Sequence, residues 1–259
     1  MIIFFAFYSC KVANDETGDF YFKDLVANGL NTNLDKGRTE GVTGKCLVFI
    51  TPDADRTMNS FLGITETFST NEVRDEELAE SDYLYMEGYL VTSETGRAAA
   101  IHARDVAKKN SVKTSITLSD PGIVAHFKDG LKEMIGDGVD LLFCNEAEAM
   151  SFTDKDNLEA AMEELKKFAK SFTVTRGPQG ARLWDGTQMI DVDAPQVDAK
   201  DTNGAGDLFA GSFLYALTNG HSFTEAGKFA CKCSSKLVTE FGARLDKETI
   251  KQIYAETFN

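Results

Sequence analysis

The chain has 259 residues, 42% of them hydrophobic and 26% charged, enough for one sizeable α/β domain with a well-buried core. A net charge of −14 with no Lys/Arg cluster argues against a nucleic-acid partner. The five cysteines (Cys10, Cys46, Cys144, Cys231, Cys233) are scattered and form no C-x-x-C pair, which favours reduced thiols in a cytoplasmic protein over a disulfide frame or zinc site; no apolar run is long enough to span a membrane.

Residues 1–7 are apolar but lack a basic n-region and a small-residue cleavage site, so they read as a buried strand rather than a signal peptide. From Tyr8 a D-x-x-G turn (Asp15, Gly18) leads into a helix whose apolar side is expected to be Phe20, Phe22, Leu25 and Leu30, with Gly29 as its C-cap. Two β-type runs, residues 45–51 and 56–63, flank a turn at Pro52, Asp53 and Asp55, a hairpin signature. Thereafter strands and helices alternate. Strands are expected at 83–86, 113–118, 139–144 and 172–175; helices at 94–109, 123–135, 157–170 and 223–238. The 123–135 helix would bury Ile123, Phe127, Leu131 and Met134, and the 157–170 helix Leu158, Met162, Leu165 and Phe168. The continuous apolar run 139–144 suits a central parallel strand. This alternation predicts an α/β fold, a mostly parallel sheet flanked by helices on both faces.

The stretch with the most chemistry is 200–217, KDTNGAGDLFAGSFLYAL. Gly204, Ala205 and Gly206 form a tight turn, and the apolar spacing from Leu208 to Leu217 predicts a helix directly behind it. A helix start with bare amides is an anion site, because unpaired N–H groups and the positive dipole end face the same way. Asp207, in the first turn, can accept a proton. An anion hole beside a carboxylate base suits phosphoryl transfer to a hydroxyl, which is mostly positioning and charge stabilisation. Two better-known phosphate motifs do not fit. Phe209 stands where the Rossmann pattern needs its third glycine; the GK pair Gly44-Lys45 is followed by Cys46, with Thr39 where a Walker loop needs its first Gly.

The string D-T-N-G-A-G-D before an apolar helix resembles the C-terminal signature of the ribokinase-like (PfkB) kinases, which phosphorylate a hydroxymethyl group of sugars or nucleosides with ATP. Two further motifs, each after an apolar strand, resemble that family: N-x-x-E at Asn145–Glu148 and T-x-G-x-x-G at Thr175–Gly180. The phrase TGKCLVFITPDADRTM resembles the lid of the adenosine kinases, so residues 41–64 would form a partial β lid on a single kinase domain spanning 1–259. The resemblance implies ATP and Mg²⁺ as cofactors, and it distributes roles over the matching residues. Asp207 would be the general base, and the amides of Gly204, Ala205 and Gly206 the anion hole. Arg56 would place a guanidinium near the transferred group, and Asn203 would touch substrate. Asn145 would face the ATP phosphates, Glu148 would organise Mg²⁺ through water, and Thr175, Gly177 and Gly180 would line the nucleotide. In many members a monovalent cation lies beside this loop, so K⁺ would be held by Asp201, Asn203 and the loop around Gly242. Cys231 stands near the point where the family often has Asn or His toward the base.

Each motif also has a purely structural reading: Asn145 and Glu148 suit a capping box, the loop from Thr175 an ordinary hairpin turn, and Arg56 a solvated position. In the family the stretch from Tyr8 lies well inside the chain, after a first strand, part of the lid sheet and a glycine-rich segment that holds the sugar. The expectation is therefore a chain lacking several tens of N-terminal residues relative to the family. Three readings stay open: a nucleoside kinase close to adenosine kinase, a ribose- or fructose-type sugar kinase, and a shortened nucleotide-binding protein with little or no activity. The expected partner is a small molecule, with neither nucleic acid nor membrane; some family members pair through their lids, which allows a homodimer.

Overall fold

The computed structural model describes residues 5–52, 54 and 56–258, Arg56 by its backbone alone. Asp53 and Asp55 of the expected hairpin turn, and the first four residues of the expected N-terminal strand, lie outside the described residues. The chain divides into two compact units, residues 1–47 with 58–139, and residues 48–57 with 140–259.

In the first unit the apolar N-terminal run yields only a two-residue strand, β1 (Phe7–Tyr8), paired in parallel with β2 (Asn31–Thr32). Phe5 is 83% exposed, so the described part of that run is not the buried strand expected. Between them lies α1 (Glu16–Ala27), and its D-x-x-G start has a direct physical cause. Asp15 caps the helix by accepting from the Gly18 amide at 2.8 Å, and also accepts from the amide and hydroxyl of Thr43 at 2.9 and 2.5 Å. Those donors, the Thr43 hydroxyl first, hold its carboxyl down at about 2. A Cβ on Gly18 would lie 2.1 Å from the Ala13 carbonyl oxygen, so the position admits only glycine. Leu25 packs with Val12 and Leu34, and Phe22 and Leu30 lie against that cluster, whereas Phe20 is 71% exposed. The apolar stripe was read one residue too wide: α1 buries Gly18 and Leu25, and Phe20 points off that line.

β3 (Lys45–Ile50) and β4 (Arg56–Phe61) form the expected two-stranded hairpin; Leu47, Phe49, Met58 and Phe61 on it are exposed. The rest of the first unit is α2 (Asp75–Ala79), β5 (Tyr83–Met86), α3 (Glu94–Lys109), β6 (Lys113–Thr117) and α4 (Pro121–Ile135). β5 and β6 run parallel, with Tyr83 opposite Lys113 and Met86 opposite Ile116. α3 lies close because its buried side is small: Ala99, Ala100, Ala103 and Ala107. The expected face of α4 is corrected by a kink at Phe127 (φ −127°, ψ 22°), which turns that ring outward and leaves Val124, Leu131, Met134 and Ile135 buried.

The second unit opens with β7 (Val139–Asn145) and continues through α5 (Glu146–Thr153), α6 (Leu158–Leu165), β8 (Ala169–Thr175), β9 (Ala181–Trp184) and β10 (Met189–Val192). Its strands lie in the order β10-β9-β8-β7, with β9 antiparallel to both neighbours. The helix expected over 157–170 stops at Leu165; the chain tightens at Phe168, whose amide donates to the Leu165 carbonyl, and enters β8 at Ala169. Phe168 kept the helical period because its ring packs edge-on against Phe152 at 5.0 Å. Three helices complete the unit: α7 (Ala205–Thr218), α8 (Phe223–Leu237) and α9 (Lys247–Phe258). Phe213 of α7 meets Phe143 of β7 at 5.9 Å, Phe209 at 5.9 Å and Phe223 at 4.8 Å. α8 approaches β9 and β10 at Gly227, where a Cβ would stand 2.7 Å from Leu183 and 3.1 Å from Val192.

Phe213→Ala leaves a cavity where three rings converge. We expect it to cost about 3–5 kcal/mol in urea unfolding, against less than about 1 kcal/mol for the exposed Phe20→Ala.

Candidate active site

α7 begins where it does because the residues before it are pinned. Asp201 is 1% exposed. Its Oδ1 accepts from the Asn203 amide at 2.8 Å and its Oδ2 from the Gly242 amide at 2.9 Å. The amides of Lys200 and Asp201 donate to the Val238 carbonyl at 2.7 and 3.3 Å, fastening the segment to the end of α8. Gly204 then turns with φ 76°, a left-handed conformation, and a Cβ there would stand 2.8 Å from Ala243 Cβ and carbonyl oxygen. Both the dihedral and the space require glycine.

The helix starts at Ala205 without any side-chain cap. The Ala205 amide donates to the Thr202 carbonyl at 3.3 Å, and the Ala205 carbonyl accepts from the Ser234 hydroxyl at 3.0 Å. A Cβ on Gly206 would meet nothing within 4 Å, so the space beside this first turn is open. Asp207 follows in the same turn and is exposed. The arrangement is an uncapped, partly positive helix start with room beside it and a carboxylate one residue on.

The other two motifs sit at neighbouring strand ends. The Thr175 hydroxyl at the end of β8 donates to the Cys144 carbonyl at 3.5 Å, next to Asn145 at the end of β7. Asn145 caps α5 and exchanges three hydrogen bonds with Glu148: its Oδ1 accepts from the Glu148 amide at 2.8 Å, its amide donates to Oε2 at 3.0 Å, and its Nδ2 donates to Oε1 at 2.6 Å. The capping-box reading is therefore correct, and it leaves a 5%-exposed carboxylate in one fixed orientation. Burial and the neighbouring Glu148 push the Cys144 thiol well up from its usual value.

After Thr175 the loop turns at Gly177 (φ 54°) and Gly180 (φ 82°), where a Cβ would fall 1.9 Å from the Val192 carbonyl oxygen. The Arg176 amide donates to the Gly180 carbonyl at 2.8 Å, and its guanidinium to Gln179 at 2.7 Å, with Glu146 at 3.8 Å. The structure thus joins Asn145, Glu148 and Thr175, and separately Asp201, Asn203 and Gly242. Arg56 opens β4, and its side chain lies outside what the structure describes. Cys231 is buried on α8, and desolvation takes its thiol up to about 12. Among the described residues no three His, Cys, Asp or Glu side chains come together as a direct metal site. Sequence reasoning passed over Thr202, whose hydroxyl donates to the Ala54 carbonyl, Ser234, whose hydroxyl donates to the Ala205 carbonyl, and Arg176, which closes its own loop. The one available signal was a Thr inside the signature string.

Residues 4–250 match the pfkB family carbohydrate kinase model, and the chain belongs to that family. It is 27% identical to adenosine kinase of Dictyostelium discoideum over 91% of this chain and 73% of that one. It is 24% identical to ribokinase of Staphylococcus aureus over 94% and 79% respectively. Among solved structures, adenosine kinase from Sinorhizobium meliloti superposes with a TM-score of 0.92 at 28% identity, covering 98% of this chain and 79% of that one. The fold is ribokinase-like, a mostly parallel central sheet with helices, and the protein is a kinase. Among the described residues no helix is long and apolar enough to cross a membrane.

Asp201→Asn turns an amide NH₂ toward one of two backbone donors. The expected loss is about 1–3 kcal/mol in denaturant unfolding, with Gly206→Ala, whose methyl enters open space, within about 0.5–1 kcal/mol of wild type.

Proposed function

We propose that this kinase, a single catalytic domain with residues 41–64 as its β lid, transfers the γ-phosphoryl group of ATP to a primary hydroxyl of a nucleoside of the adenosine type. The observation that carries the reading is the start of α7: a left-handed glycine, no cap, open space at Gly206 and an exposed Asp207 in one turn. A triphosphate fits there, because amide donors and the helix dipole receive negative charge without a cation. Mg²⁺, when bound, would offset part of the negative charge of the phosphates. Asn145 and Glu148 would hold that ion through water, a role that needs a fixed carboxylate rather than a cage of ligands. Asp207 accepts the proton of the attacking hydroxyl as the amides of Gly204, Ala205 and Gly206 take up charge on the transferred group. Thr175, Gly177 and Gly180 line the nucleotide, where the positive φ angles of both glycines let the backbone approach it. Arg56 adds a cation from the lid and Asn203 a contact to substrate. Asp201, Asn203 and the Gly242 loop form the K⁺ position in this reading, supported by the two amide bonds that bring the loops together.

The second reading is a ribose- or fructose-type sugar kinase, favoured by the ribokinase relative. ADP release with ATP, Mg²⁺ and K⁺ in the presence of adenosine, ribose or fructose separates the two. We expect adenosine to be preferred, and a sugar turned over tenfold better would replace the first reading with the second. Asp207→Asn should keep ATP binding by calorimetry and lose about 10²–10⁴ in turnover. Turnover within threefold of wild type would remove Asp207 from the base role.

A further inference from the structure

Thr202 lies inside the signature string, and its side chain reaches out of that string to a distant segment. Its Oγ1 donates to the carbonyl of Ala54 at 3.0 Å, across 148 positions of sequence. Ala54 is the tip of the β3–β4 hairpin, and its amide closes the turn by donating to the Thr51 carbonyl at 2.9 Å. Two further features of Ala54 point the same way. It holds φ 63°, a left-handed conformation that costs an alanine energy and persists where surroundings enforce it. It is also only 4% exposed, although most of the hairpin on either side is open to solvent. Ala54 and Thr202 belong to the same compact unit, the one that carries α7.

From these contacts we infer that Thr202 is a positioning residue that latches Ala54 of the hairpin to the turn leading into α7 and Asp207, so that the reacting groups are shielded from water during transfer. Thr202 is one residue from Asn203 and two from Gly204, so its hydroxyl fixes the tip relative to the turn that would hold the phosphoryl group. Ala54 is two residues from Arg56, so the same bond sets where β4 begins. A latch of this kind favours transfer to the acceptor over transfer to water. The catalytic part of the inference rests on the kinase reading above; the contact itself does not.

The test compares wild type with Thr202→Val, which keeps the shape and removes the donor, and with Thr202→Ser, which restores it. Backbone amide exchange over residues 48–57 reads the latch directly. ADP release with and without adenosine reads its consequence. For Thr202→Val we expect exchange at the tip at least about fivefold faster, the worth of one neutral hydrogen bond. KM for adenosine should rise by a similar factor and the acceptor-independent share of ADP should increase, with Thr202→Ser close to wild type in all three. Unchanged tip exchange in Thr202→Val overturns the latch. Faster exchange with KM and coupling both unchanged overturns the positioning role. If wild type transfers to no acceptor, the kinase reading fails, and the exchange measurement still decides the latch by itself.

Discussion

A single buried carboxylate sets the geometry on which the rest of this site depends. A carboxylate out of water is tolerated only when its oxygens are well supplied with donors. Asp201 meets that condition with two backbone amides from segments 41 residues apart in sequence, those of Asn203 and Gly242. The bonds make one rigid piece of the turn before α7 and the loop after α8. Gly204 and Ala243 then come so close that no side chain fits at position 204. The start of α7, and with it the direction of its first amides, follows from where that carboxylate sits.

The strand-end motifs show the same economy in a different form. The bonds between Asn145 and Glu148 satisfy two orphan groups at the start of α5, which is a structural service. They also orient a carboxylate that would otherwise rotate, which in the proposed reaction is a functional one. Fixing a charged group during folding means that it needs no reorganisation when charge develops nearby. Structural and functional readings of an N-x-x-E string are therefore not rivals here. The cap is the means by which the carboxylate is held.

Much of this was legible in the sequence because it depends on local rules. The alternation of apolar runs placed β5, α3 and β6 within a residue, and the string from Asp201 to Asp207 located the turn and helix of the site. What escaped was set by tertiary contact. Phe20 continued an apolar pattern yet stands in solvent, and Phe168 continued a helical one although the chain had already left the helix to pair as β8. Phe127 marks a kink that spacing alone cannot show, since a period assumes a straight helix. Thr202 was invisible for a related reason: its partner is a backbone carbonyl, which carries no sequence signature, 148 residues away.

The net charge of −14 stands against the proposed binding of a triphosphate, and the resolution lies in which groups would receive it. Arg176 and Arg182, the cations nearest the second strand end, are already engaged with Glu146, Asp191 and Glu159. In the proposed reaction the phosphates are met instead by backbone amides at α7 and at the glycine loop, whose dipoles are fixed by the fold and need no counter-charge. Exposed carboxylates elsewhere are screened beyond about 8–10 Å at physiological salt, so they weaken long-range attraction without reaching into the turn. An acidic surface and an anion site coexist because the first acts at a distance and the second by contact.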